Sequence, residues 1–192
     1  MYKRQSPHGR VTALHVAAEY TNFEAAKLLL EAGADVNART QLPKPNGGAT
    51  PLYFAECSPK LVSLLLEAGA DVTLKVAFDF GDGLGLNFET VLGYNTSCSD
   101  ARADVVKMLL DAGADPNSQD TLFGAAPLHN VALPSGDEVV KLGKLLLEYG
   151  ADPLLTNKGG EIPLDFAKDL SKNQDLIDLL TEATEKALKS SA

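Results

Sequence analysis

One phrase recurs four times along the chain, and a chain that repeats itself at a fixed period folds as repeated units. The copies are Leu28-Leu29-Leu30-Glu31-Ala32-Gly33-Ala34-Asp35, Leu64-Leu65-Leu66-Glu67-Ala68-Gly69-Ala70-Asp71, Met108-Leu109-Leu110-Asp111-Ala112-Gly113-Ala114-Asp115 and Leu145-Leu146-Leu147-Glu148-Tyr149-Gly150-Ala151-Asp152. A second phrase stands ahead of each: Thr12-Ala13-Leu14-His15, Thr50-Pro51-Leu52-Tyr53, Thr90-Val91-Leu92-Gly93 and Ala126-Pro127-Leu128-His129. A fifth copy, Ile162-Pro163-Leu164-Asp165, leads to Leu176-Ile177-Asp178-Leu179-Leu180. Thr12 to Gly33 covers 21 positions and Gly150 to Ile162 covers 12, a full period of 33. A period of a few tens of residues marks supersecondary units that bury their apolar faces only by stacking.

Each phrase has a local physical meaning. Thr at the head is a good helix N-cap, and Pro behind it occupies the first helical position, where the missing N–H costs nothing. Leu follows, facing the core. The second helix is apolar along one side, as in Phe23, Ala26, Leu29 and Leu30. It stops at Gly33, Gly69, Gly113 and Gly150, because a left-handed terminus favours glycine. The Asp two residues on can accept nearby backbone N–H groups and turn the chain outward. The unit is a short helix, a turn, a longer helix and an extended loop.

These phrases resemble the ankyrin repeat, whose marker is Thr-Pro-Leu-His-x-Ala at a period near 33 residues. The resemblance runs from about Gly9 to Leu180. It implies an all-α ankyrin-repeat α-solenoid of stacked helix–turn–helix units with projecting β-hairpin finger loops. It further implies one domain over residues 1–192, with repeats near 9–40, 47–75, 87–118, 123–156 and 159–188. Members of the family mostly bind proteins through a concave face made of fingers and first helices. Their His usually bonds the backbone of an adjacent loop, so Tyr53, Gly93 and Asp165 in its place imply looser coupling there. By the same resemblance Asn37 and Asn117, at finger bases, are possible substrates of an asparaginyl hydroxylase; a turn-stabilising role is the plainer expectation.

Departures from the period fall in the connections. Gly33 to Thr50 covers 17 positions and Gly69 to Thr90 covers 21, against 12 for the regular finger. The first long finger, Thr40–Gly48, reads as an exposed loop stiffened by Pro43 and Pro45. The second, a long insertion over residues 73–89, alternates Val76, Phe78 and Phe80 before Gly81-Asp82-Gly83, then Leu84, Leu86 and Phe88. Alternation on both sides of a glycine turn predicts a β-hairpin. A turn centred on Asp82 would pair Phe80 with Leu84, Phe78 with Leu86 and Val76 with Phe88, all on one face. That face either folds back on neighbouring fingers or meets a partner. Phe123 stands at another finger tip, and Tyr20 lies just past the first helix. Tyr20, Phe78, Phe80, Phe88, Tyr94 and Phe123 are therefore the candidate partner-binding residues, since aromatics give large contacts at low entropic cost.

The remaining chemistry is narrow. With 26 acidic and 17 basic residues the formal charge is −9, which repels phosphate backbones and suits a partner protein with a basic patch. Nucleic acid is a poor candidate, no apolar run is long enough for a membrane span, and the lone chain is expected to be a monomer. Met1–Pro7 carry charge without an apolar core, so the chain is expected in the cytoplasm, or in the nucleus, or in a host cytosol if secreted as an effector. His8, His15 and His129 are the only histidines, and Cys57 and Cys98 lie in different repeats. No zinc spacing, phosphate-binding glycine loop or nucleophile elbow is present, and Asp79 with Asp82 lacks the spacing of a calcium loop. No catalytic residue, cofactor or metal is expected. Three roles follow: a protein-interaction scaffold or adaptor, a regulatory or inhibitory subunit that occludes an enzyme, and a hydroxylase substrate.

Overall fold

The computed structural model describes residues 11–40, 48–55, 58–79, 86–97, 102–134, 136 and 138–190, and the side chains of residues 78, 79 and 86 also fall outside that description. Among the described residues ten helices pair into five units: α1 (Ala13–Glu19) with α2 (Phe23–Glu31), α3 (Pro51–Phe54) with α4 (Pro59–Glu67), α5 (Val91–Ser97) with α6 (Ala103–Asp111), α7 (Pro127–Asn130) with α8 (Glu138–Glu148), and α9 (Pro163–Leu170) with α10 (Gln174–Ser190). β1 (Lys75–Asp79) and β2 (Leu86–Thr90) form an antiparallel hairpin between the second and third units. The architecture is the helix–turn–helix solenoid that the repeated phrases imply.

The core is one continuous apolar seam. Leu14, Leu52, Leu92 and Leu128 of the first phrase are buried, and Leu65, Leu109, Leu146 and Leu180 of the second helices meet them. First helices pack in a row, α1 on α3 and α5 on α7 on α9, and second helices form a parallel row from α2 to α10. The row of first helices is slightest between α3 and α5.

Each second helix ends the same way. Gly33, Gly69, Gly113 and Gly150 adopt φ of 84°, 88°, 90° and 87°. In the third unit the Gly113 N–H donates to the Leu110 carbonyl and the Ala114 N–H to the Leu109 carbonyl, both at 3.0 Å. This paired closure satisfies carbonyls the helix leaves open and requires the left-handed residue between them. The Asp after it then turns the chain: Asp35, Asp71, Asp115 and Asp152 each accept, on Oδ1, the N–H two residues on, at 2.8–2.9 Å.

The hairpin differs from the expected register. Lys75 pairs with Thr90, Val76 with Glu89, Ala77 with Phe88, Phe78 with Asn87 and Asp79 with Leu86. Phe88 thus leaves the face on which Val76 stands, and the single apolar face expected from the alternation is not formed. The cause is a second docking partner for β2. The Phe88 N–H donates to the Thr121 hydroxyl at 2.8 Å, and the Phe88 carbonyl accepts the Thr121 N–H at 3.2 Å. Phe88 must therefore aim its backbone at the third finger and away from β1. Asn87 and Glu89 turn inward instead, because specific polar partners wait there.

No helix among the described residues is long and apolar enough to cross a membrane. Replacing Gly113 by Ala meets no atom within 4 Å, so its cost is purely conformational. We expect a loss of about 1 kcal/mol in unfolding free energy by urea denaturation, and an unchanged stability would contradict the closure described.

Candidate functional site

Cross-repeat ties decide how rigidly any surface on this stack is presented. His15 and His129 work alike: Nδ1 accepts the N–H of the helix N-cap residue, Thr12 or Ala126, and Nε2 donates to a carbonyl of the next unit, Ala49 or Glu161, at 3.0 Å. Burial holds both imidazoles below their ordinary pKa, so the neutral form that this geometry needs prevails. Each ring also stands edge-on to an aromatic of the next unit, His15 to Phe54 and His129 to Phe166.

Where the His is replaced, different chemistry stands in its place. Tyr53 stacks against Tyr94 of the next unit, with ring centroids 4.6 Å apart. Asp165 keeps the local half of the device, accepting the Ile162 N–H on Oδ2 at 3.3 Å. Gly93 leaves a space, and the Glu89 carboxyl fills it; a Cβ on Gly93 would meet Glu89 Oε1 at 2.9 Å. Asn130 then donates from Nδ2 to Glu89 Oε1 at 3.2 Å and to the Gly93 carbonyl at 3.3 Å. Burial, and next the charge of Asp120, raise the Glu89 pKa to about 7.

The two finger-base asparagines are cross-ties as well. Asn37 donates to the Gly69 carbonyl at 3.1 Å and accepts the Asp71 N–H at 2.8 Å. Asn117 repeats this with Gly150 at 3.0 Å and Asp152 at 2.8 Å. In the second unit Thr73 takes the place, and its hydroxyl turns back to Asp71 at 2.6 Å.

The second and third fingers are joined into one piece. Besides the Phe88–Thr121 backbone pair, Asn87 Oδ1 accepts the N–H groups of Thr121 and Leu122, and Lys75 donates to the Gln119 carbonyl at 2.8 Å. Asp120, itself buried, accepts three N–H groups from Leu122, Phe123 and Ala125 and so fixes the tip of the third finger. The Phe123 carbonyl accepts the Lys158 N–H at 2.8 Å, binding that tip to the fourth finger.

On this frame the candidate aromatics separate. Phe88 and Phe123 are 39% and 53% exposed on the joined fingers, with both backbones pinned. Tyr94 lies half-buried against Tyr53. Tyr20 is 75% exposed at the end of α1, in a different unit from the rest. The Phe78 side chain and all of Phe80 lie outside the described residues, as do Cys57, Cys98 and Gln41–Gly47. Tyr53, noted in the sequence only for replacing the His, belongs to the same region, as do Asn87, Glu89, Asp120 and Asn130, which were not singled out as site residues. Their signal is weak: only Asn87 and Glu89, polar residues alternating with apolar ones in β2, stand in a recognisable pattern. Among the described residues no three His, Cys, Asp or Glu side chains are grouped to hold a metal ion.

A family model described as ankyrin repeats (3 copies) matches residues 3–76 and 96–190, leaving out most of the hairpin and the start of α5. The chain is 33% identical over 163 residues to the putative ankyrin repeat protein FPV232 of fowlpox virus (strain NVSL), covering 84% of this chain and 30% of that protein. It is 32% identical over 156 residues to the nuclear factor NF-kappa-B p105 subunit of Gallus gallus, covering 81% of this chain and 14% of that protein. It is 29% identical over 161 residues to the putative ankyrin repeat protein YahD of Escherichia coli (strain K12), covering 82% of this chain and 73% of that protein. The chain thus spans less than a third of the length of the first two.

Asn117→Ala removes two bonds between units. We expect a loss of about 1–2 kcal/mol in urea unfolding, with Asn37→Ala similar; a change below about 0.5 kcal/mol would deny these amides their coupling role.

Proposed function

Because the chain belongs to the ankyrin-repeat family, whose repeats are protein–protein interaction modules, we propose that it is a scaffold or adaptor binding a partner protein through its concave side and its joined second and third fingers. What carries this reading is the presentation of Phe88 and Phe123. Large apolar rings stand in water on fingers whose backbones are already immobilised by Thr121 and Asp120. Contacts on a fixed frame lose little entropy when a partner binds, which is the condition for a strong anchor. Tyr94, against Tyr53, and Tyr20 extend the apolar surface along the first helices; Phe78 and Phe80 are proposed to join it from the hairpin. A net charge of −9 favours a partner with a basic patch, chiefly through its rate of approach.

A regulatory or inhibitory role would use the same surface, and the partner's activity measured with and without this chain distinguishes occlusion from plain recruitment. Affinity capture with crosslinking tests the surface itself. Crosslinks are expected on the second and third fingers and the first helices. The double variant Phe88→Ala, Phe123→Ala is expected to keep its helical circular dichroism and thermal midpoint while weakening binding about 30-fold or more. Crosslinks confined to α2, α4, α6 and α8, with affinity unchanged in the variant, would overturn the reading.

A further inference from the structure

Glu89 is a carboxyl placed where the fold gives a charge little support. It sits on β2, the strand that bonds the third finger, one residue after Phe88. Its side chain occupies the space above Gly93, and Asn130 on α7 supplies its one hydrogen bond among the described residues. No ion pair reaches it among those residues. Among the described residues the groups around it offer no cation. β1 presents Val76 opposite it, and the neighbouring Lys75 sends its ammonium to the Gln119 carbonyl. The third finger presents Asp120, a second carboxyl engaged by three N–H groups. α5 presents Gly93 and the Tyr94 that follows it; on α7, His129 next to Asn130 is committed to Ala126 and Glu161.

We propose that Glu89 is a protonation-dependent latch: in its neutral form it seats over Gly93 beneath Asn130 and holds the hairpin on α5 and α7, and on ionising it turns toward water and loosens the docking of β2 on Thr121. The ionised form would have to stand beside Asp120 in a partly buried site, and both effects favour the neutral acid. Burial and Asp120 together raise the carboxyl from 4.5 to about 7, which sets the latch near neutral pH. The sign follows from linkage. A carboxyl whose pKa is higher in the folded chain binds its proton more tightly there, so its contribution is whole at acidic pH and is lost as pH rises from 4.5 toward 7. His15 and His129, held below their usual value, act in the opposite sense, losing stability as pH falls below 6.5. Any measurement on the whole chain mixes the two, and a variant at Glu89 separates them. The latch concerns the seating of the hairpin itself and does not depend on where a partner binds.

Two measurements test it. The first is amide hydrogen exchange of Phe88 and Thr121 between about pH 6 and about pH 8, corrected for intrinsic exchange, in the native chain and in Glu89→Gln, which keeps the shape and removes the titration. Protection in the native chain is expected to fall about tenfold more than in the variant across that interval. Equal pH dependence in the two proteins would overturn the latch. The second needs no variant: the carboxyl carbon of Glu89, followed by NMR in the native chain, is expected to titrate near 7. A midpoint in the ordinary range near 4.5 would overturn it independently of how the variant folds.

Discussion

Each helix pair in this molecule has one apolar side that only a neighbouring pair can cover. The second helices show it directly. Leu64 and Leu145 line grooves against the preceding helix, beside Phe23 and Glu24 of α2 in one case and Ala103 and Lys107 of α6 in the other. Leu28, the equivalent residue of the first described unit, is 65% exposed, because no described unit stands on that side of it. Burial of a leucine is worth about 1.5–3 kcal/mol, so the seam supplies the adhesion of the stack. It does not by itself fix the angle or register between units, since apolar contact is without direction.

Direction comes from the polar ties, and they are distributed unevenly. The first and second units are joined by both His15 and Asn37, the third and fourth by Asn117 and by Glu89 with Asn130, the fourth and fifth by His129. Three different side chains do one job: each bonds the next unit from a helix or finger base. The imidazole does it with a neutral ring, and the amide does it with a donor and an acceptor at once. The carboxyl does it only while it can tolerate burial. With Gly93 where the repeat places His, that junction is closed by a carboxyl whose pKa is raised by burial, whereas His129 closes its own with an imidazole whose pKa burial lowers.

The solenoid was legible in the sequence because its determinants are local and repeated. Gly113 needs only its own left-handed backbone, Asp115 only the N–H of Asn117, and Leu109 only a helical period. The hairpin was legible as a hairpin, again from local alternation. Its register was not, because the residue that decides it, Thr121, is 33 positions from Phe88 and bonds backbone as much as side chain. Polarity misled for the same reason. Asn87 is 4% exposed, yet it reads as a solvent-facing residue until the N–H groups of Thr121 and Leu122 are brought to it. Of the candidate aromatics, Phe88 was read from the hairpin alternation and Phe123 from its place at a finger tip; that the two fingers are joined is long-range information.

The place of the insertion has a mechanical logic. Between the second and third units neither device is present, for Tyr53 replaces the His, Thr73 replaces the Asn, and α3 and α5 touch least among the first helices. The hairpin enters the chain at that junction and spans it. Arg39 of the first finger donates to the Lys75 carbonyl at 2.7 Å, while Lys75 and Phe88 reach Gln119 and Thr121 of the third. The fingers on either side are thus fastened to the insertion rather than to each other. A loop of this length on a regular stack would be a free appendage; here it replaces the missing ties with its own backbone. The strand that carries Phe88 therefore also bridges the junction at which the first helices touch least.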